Sequence, residues 1–255
     1  MNGFINKIAV FLDYVGGVII LTYQTVVAAL TPPLKLGRFF YQAKRIGFDS
    51  LPIVSVVALF TGMILAFQST YLLKKLSSEI YIANIVALSL VRELGPVFTA
   101  LVVAGRVGAS ITAEIGTMTV TEQVDALQTL AANPVKYLVV PRFLAMVIML
   151  PLLVVYTDLV GILGGYLICV YRLGVTSAMY IQMTFDSLVL KDLFSGLLKS
   201  IIFAMIIALI SCYEGLRTEG GAEGVGRSTT LSVVTSFIMI IAADCLFTAL
   251  FYFVL

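Results

Sequence analysis

Histidine does not occur anywhere in the sequence. Its absence removes the commonest metal ligand and the usual proton-shuttling side chain, so imidazole-based catalysis and His-ligated metal sites are excluded. Cysteine is scarce as well. Cys169, Cys212 and Cys245 each stand alone inside an apolar run with no CxxC spacing, which points to isolated core thiols rather than a disulfide or a metal site. Charge is the third shortage: 12% of residues are charged, against about a quarter in soluble domains. The net charge of +2 is spread along the chain, and nothing in it argues for nucleic acid as a partner. What fills the space is apolar, at 60% of residues. The sequence reads as an all-α, polytopic integral membrane protein forming one membrane domain over residues 1–255.

Residues 4–30 are apolar enough to span a bilayer, yet Asp13, Gly17 and Gln24 recur at helical spacing and Gly16-Gly17 interrupts the middle. An interfacial helix is preferred, with a true span as the alternative. Thr31-Pro32-Pro33 stops that element, and Lys35, Arg38, Lys44 and Arg45 then mark an amphipathic elbow, completing N-terminal interfacial and elbow helices over 4–50. Five transmembrane helices are expected at 51–73, 84–112, 143–170, 193–213 and 229–254, each long enough for a hydrocarbon core of about 30 Å. Lys74 and Lys75 cap the far end of the first, Pro141 and Arg142 mark the start of the third, and Ser228 or Thr229 caps the fifth.

Orientation follows from the cations. Lys35, Arg38, Lys44, Arg45, Arg106, Lys136, Arg142, Arg217 and Arg227 fall on one side, against Lys74, Lys75, Arg172 and Lys191 on the other. The positive-inside rule then places the N-terminus in the cytoplasm and the C-terminus outside.

The second span carries an adjacent Arg92 and Glu93 followed by Gly95 and Pro96. Counting inward from Asn84 at about 1.5 Å per residue puts Glu93 roughly 14 Å deep, near mid-bilayer. Charge at that depth costs at least about 2.5 kcal/mol and faces a bundle interior or a wet cavity. As neighbours the two side chains point about 100° apart, so each is expected to find a partner on another helix, with Lys199, Asp158 and Asp244 available. Pro96 removes the hydrogen bond to the Arg92 carbonyl, and a kink is expected at the charged pair. Ala100, Ala104, Gly105, Gly108, Gly161 and Gly165 supply small faces for close helix packing.

Beyond this span, Thr119 begins a T-x-x-E capping box with Glu122, and Asn133-Pro134 ends the element. A short cytoplasmic helix over 119–133 results, with Val120, Val124, Leu127 and Ala131 on one face and Glu122, Asp125 and Gln128 on another. The glycine-rich segment YEGLRTEGGAEGVGRSTT lacks the GxxxxGK[ST] spacing of a Walker A loop. No paired catalytic Asp motif or Ser-base arrangement appears in a span, so no catalytic residue is assigned. On spacing alone, an ion- or proton-coupled secondary transporter using Glu93, Asp158 and Asp244 remains an alternative.

The run VRELGPVFTALVVAGRVGASITAEIGTMTVTEQVDAL, the following NPVKYLVVPR, the LKS around Lys199, and EGVGRSTTLSVV with Asp244 resemble the MlaE (YrbE) family of ABC-transporter permeases. The similarity covers nearly the whole chain from about residue 30, is most specific through 88–142, and is weak over 1–30 and 172–190. The resemblance implies a homodimer in the bacterial inner membrane that moves phospholipid. It implies a MlaF-like ATPase holding ATP and Mg, with no cofactor bound by this chain. It also implies a MlaD-like MCE protein on the outer face, and a small MlaB-like STAS protein is a further candidate partner. By the same resemblance Arg92 and Glu93 lie in the lipid cavity, and Glu122 and Asp125 belong to the segment that meets the ATPase. Pro96, Gln68 and Leu72 are expected to line the cavity with them, and Val124 and Leu127 to join the ATPase contact; apart from the resemblance, the depth of Asp158, Lys199 and Asp244 points to charge pairing within the membrane.

Overall fold

A computed structural model describes residues 2–32, 36–74 and 81–254, and all regular structure among them is helical. The helices are α1 (Asn2–Leu30), α2 (Leu36–Ile46), α3 (Leu51–Lys74), α4 (Ile82–Ser89), α5 (Gly95–Val103), α6 (Ala109–Val120), α7 (Gln123–Thr129), α8 (Val140–Leu173), α9 (Ser177–Ser187), α10 (Leu190–Leu216) and α11 (Gly221–Val254). Among the described residues six stretches are long and apolar enough to cross a membrane: Leu12–Leu30, Leu36–Tyr71, Ile82–Val120, Val135–Leu173, Leu190–Leu216 and Gly221–Phe251. By length and composition α1 therefore qualifies as a span beside the five expected. The Gly16-Gly17 pair does not interrupt it. Glycine costs about 1 kcal/mol in a helix, whereas a broken backbone ladder in an apolar medium costs several.

Among the described residues three one-turn π-helices punctuate the long helices, at Leu90–Leu94, Ala104–Gly108 and Val135–Val139. Two are followed at the same offset by proline, Pro96 and Pro141. In an α-helix a proline ring collides with the carbonyl four residues back and offers it no N–H. The wider turn accommodates this, with the Gly95 N–H reaching back to Leu90 O and the Val140 N–H to Val135 O. The kink expected at Pro96 is thus a local π-bulge inside a continuous helical run from Ile82 to Val120.

Several sequence expectations change. Thr119 caps nothing: it lies within α6 and its hydroxyl donates to Ile115 O (2.9 Å) and Gly215 O (3.0 Å). Glu122 takes a left-handed backbone (φ 59°) in the turn, and α7 covers only Gln123–Thr129 of the expected 119–133. Asn133 starts the next helix instead of ending this one. Its side-chain oxygen accepts from the amides of Val135 (2.9 Å) and Lys136 (3.3 Å), with Pro134 between them in the first-turn position proline favours. The third long helix therefore begins at Val135, with Pro141 and Arg142 inside it. Ser228 and Thr229 likewise lie inside α11, where Thr229 donates to Val225 O (2.6 Å). The side chains of Leu72 and Lys74, and all of Lys75, lie outside the described residues.

Contacts gather the chain into two compact units. The first comprises Met1–Arg45, Ala104–Val147 and Met205–Met239. Within it Gly17 packs on the Tyr213 ring and Gly108 meets Ser211 and Ile207. The second comprises Ile46–Val103, Ile148–Ala204 and Ile240–Leu255. Here α4 packs against α3 and α9, burying Ile82, Val86, Leu90 and Tyr180. In this unit α3 and α8 touch backbone to backbone, because Gly62 lies on the Gly161 carbonyl and Gly164 on that of Leu59.

Candidate functional site

In the second unit, Arg92, Glu93, Asp192, Lys199, Thr248 and Phe251 enclose, with Lys191 and Ser195, a cavity of about 310 Å³. The π-turn at Leu90–Leu94 carries Arg92 and Glu93, which diverge to separate partners. Arg92 donates through Nε to Asp192 Oδ1 (2.6 Å) and keeps 54% of its side chain exposed, while Asp192 is 5% exposed. Glu93 accepts from Lys199 Nζ at 2.6 Å and from the Thr248 hydroxyl at 3.1 Å. Lys199 is 2% exposed and also donates to Thr248 Oγ1 (2.8 Å). It sits 2.9 Å from Asp244 Oδ1, a close ion pair.

One more contact explains the proline. Lys199 Nζ lies 3.3 Å from the Arg92 carbonyl, the acceptor that Pro96 cannot serve because it has no N–H. The ammonium therefore bridges two carboxylates, a hydroxyl and a backbone carbonyl. This satisfies the rule that charge buried in a membrane protein is paired and hydrogen-bonded.

Of the residues expected at a cavity, Arg92 and Glu93 line it, whereas Pro96 is buried and is not part of its lining. Gln68 is exposed on α3 and does not line it. Lys199 and Asp244 meet, but Asp158 makes no ion pair among the described residues; it is 8% exposed, its Oδ1 lacks a partner, and it abuts Gly95. Asp192 and Thr248 were not anticipated from sequence. Asp192 left a faint signal as the third residue of α10, reaching back to the Val189 N–H (3.4 Å) in the manner of a capping box. Thr248 follows Asp244 by four residues and so shares its helix face.

In the first unit, a larger cavity of about 680 Å³ lies beside α7 and is lined in part by Val124, Asp125 and Gln128. Val124 is buried, Leu127 half-buried, and Glu122 and Asp125 are exposed. Two left-handed residues, Glu122 and Ala131 (φ 55°), bracket the helix.

Residues 39–250 match the family described as Permease MlaE. The chain belongs to the MlaE permease family. A probable ABC transporter permease protein of Rickettsia conorii is 48% identical over 242 residues, covering 95% of this chain and 93% of the relative. A probable ABC transporter permease protein of Synechocystis is 40% identical over 224 residues, 88% and 85% of the two chains. The chloroplastic protein TRIGALACTOSYLDIACYLGLYCEROL 1 of Arabidopsis thaliana is 36% identical over 233 residues, 91% and 67%. This MlaE-family chain is an ABC transporter permease and a multi-pass membrane protein. That assignment displaces the ion-coupled secondary transporter as a reading of Glu93, Asp158 and Asp244.

Proposed function

We propose that the chain is the non-catalytic permease subunit of an ATP-driven transporter that moves phospholipid between the bacterial inner membrane and an MCE-protein conduit serving the outer membrane. It would act as a homodimer, with a MlaF-like ATPase engaging α7 and the turn before it through Asp125 and Glu122 and supplying ATP and Mg. A MlaD-like MCE protein and a small MlaB-like STAS protein complete the assembly. The N-terminus is cytoplasmic and the C-terminus periplasmic.

The observation that carries this reading is the half-exposed Arg92 guanidinium beside Lys191 at a cavity within an apolar helical run. A guanidinium presents a planar fork that matches phosphate oxygens. Asp192 orients Arg92 without covering it, and Phe251 adds an apolar wall suited to the glycerol and acyl portion of a lipid. The lipid in the Arabidopsis relative's name fits a diacylglycerol cargo. Closure of the ATPase would draw paired α7 helices together and narrow the cavity, expelling lipid.

The test is ATP-dependent lipid transfer by the co-reconstituted complex in vesicles. Loss of one charged contact is worth about 1.5–3 kcal/mol, so Arg92→Ala should slow transfer about tenfold or more. Unchanged transfer in both Arg92→Ala and Glu93→Ala, with normal assembly, would overturn the assignment.

A further inference from the structure

The first unit contains a second polar cavity, of about 320 Å³, where α2, α6 and the start of the Val135–Leu173 run meet. Arg142 lies in its wall and is 4% exposed. One of its outer nitrogens donates to Leu138 O (2.7 Å) and the other pairs with Glu114 (2.8 Å), while Nε has no partner among the described residues. Glu114 is also held by Arg45 at 2.5 Å, so its single charge answers two guanidiniums. Arg38, on the α2 side of the same cavity, pairs with no carboxylate among the described residues. It stacks 3.2 Å above the Tyr137 ring and reaches Tyr137 O at 3.4 Å.

That last contact repeats the construction of the charged cavity in the other unit. Tyr137 O is the acceptor left without an N–H by Pro141, as Arg92 O is by Pro96, and each is taken by a cationic side chain. In the Arg92 cavity the cations are matched by carboxylates. Around Glu114 they are not, and a desolvated guanidinium with an unused donor calls for an anion. Gly37 leaves the mouth of the cavity open, with nothing within 4 Å of where a Cβ would stand. Beside that mouth, Leu36, Phe40 and Tyr41 are exposed on α2, a distribution of cation and apolar surface that suits the boundary of a lipid layer.

We infer that the Arg38–Arg142 cavity binds the phosphate of an anionic membrane lipid, with the acyl chains lying against the exposed apolar side of α2. Arg38 donates to the phosphate oxygens, and the buried Arg142, held in place by Glu114, adds its positive charge in the cavity wall. This site is separate from the transport cavity and does not rest on the phospholipid-transfer reading.

The probes are dioctanoyl phosphatidic acid, dioctanoyl phosphatidylcholine and inorganic phosphate. Each is titrated onto the full chain in detergent and followed by native mass spectrometry, all in an Arg92→Ala background to silence the other cavity. Phosphatidic acid should bind about tenfold more weakly to Arg38→Gln, one charged contact being lost, and Arg38→Lys should recover part of the difference. Arg38 is partly exposed, so the variant folds, which its melting temperature checks independently. Equal binding of phosphatidic acid and phosphatidylcholine, or no change in Arg38→Gln, would overturn the site. Displacement of phosphatidic acid by inorganic phosphate at matching concentration would assign the cavity to free phosphate and overturn the lipid.

Discussion

Lys199 is the residue on which the charged cavity turns, because one buried ammonium answers Glu93, Asp244, Thr248 and the Arg92 carbonyl together. Replacing it with methionine keeps most of the volume and strands two carboxylates. Removing one partner of a buried pair costs about 3–5 kcal/mol. Glu93 and Asp244 retain 38% and 21% side-chain exposure and can take up some water, so the lower end, about 3 kcal/mol, is expected for Lys199→Met. A melting curve in detergent measures it, and adding Glu93→Gln with Asp244→Asn should return much of the loss. If Lys199→Met melts like the parent, the lysine is not holding the cluster. Arg92, Glu93, Lys199 and Asp244 were legible in the sequence because charge stands out in an apolar run. Lys199 and Asp244 were also offered there as partners on other helices, but Asp192 and Thr248 were not: Arg92 and Asp192 lie 100 positions apart and Glu93 and Thr248 lie 155 apart, separations that local spacing does not encode.

Among the elements, proline and glycine were read as punctuation, and the structure gives them other work. Pro96 and Pro141 were taken as a kink and a helix start, whereas both sit just past π-turns within unbroken helical runs. Asn133-Pro134 was read as a stop because that dipeptide disfavours helix before it; the same residues also form a start signal, and only the fate of the Asn133 oxygen distinguishes the two. The small residues Gly161 and Gly165 were correctly placed at a close approach, though their opposite number Gly62 drew no notice in sequence. Gly62→Leu forces a side chain into the Gly161 backbone of α8 and should cost about 3 kcal/mol, the upper part of the overpacking range, since backbone cannot step aside. Gly16→Ala, into open space in α1, should be neutral or stabilising by up to about 1 kcal/mol. Comparing the two melting temperatures tests the packing; equal shifts would refute it.

For the whole molecule, hydrophobic run lengths gave an all-α membrane protein, and the residues shared with the MlaE family gave the permease. The number of crossings depends on α1, whose residues Leu12–Leu30 are long enough either to span or to lie flat. Cation placement decides differently for the two ends: with α1 interfacial, five crossings put the termini on opposite sides. Reporter fusions at each end check this in intact cells, with a cytoplasm-active reporter expected to work at the N-terminus and a periplasm-active one at the C-terminus. Reporters active on the same side at both ends would make α1 a sixth crossing.

The contact between Lys199 and the Arg92 carbonyl also bears on inheritance. A descendant that loses the ammonium leaves the Arg92 carbonyl without its cationic donor beside a proline that offers no N–H, and one that replaces Pro96 gives that carbonyl a second donor. Replacing Pro96 relieves only the bare carbonyl, and the Glu93 and Asp244 carboxylates stranded by loss of Lys199 need their own changes, so positions 93, 96, 199 and 244 form one mutational unit. The order in which they drift is constrained: changes at 93, 96 and 244 together open the path that substitution at 199 by itself finds closed.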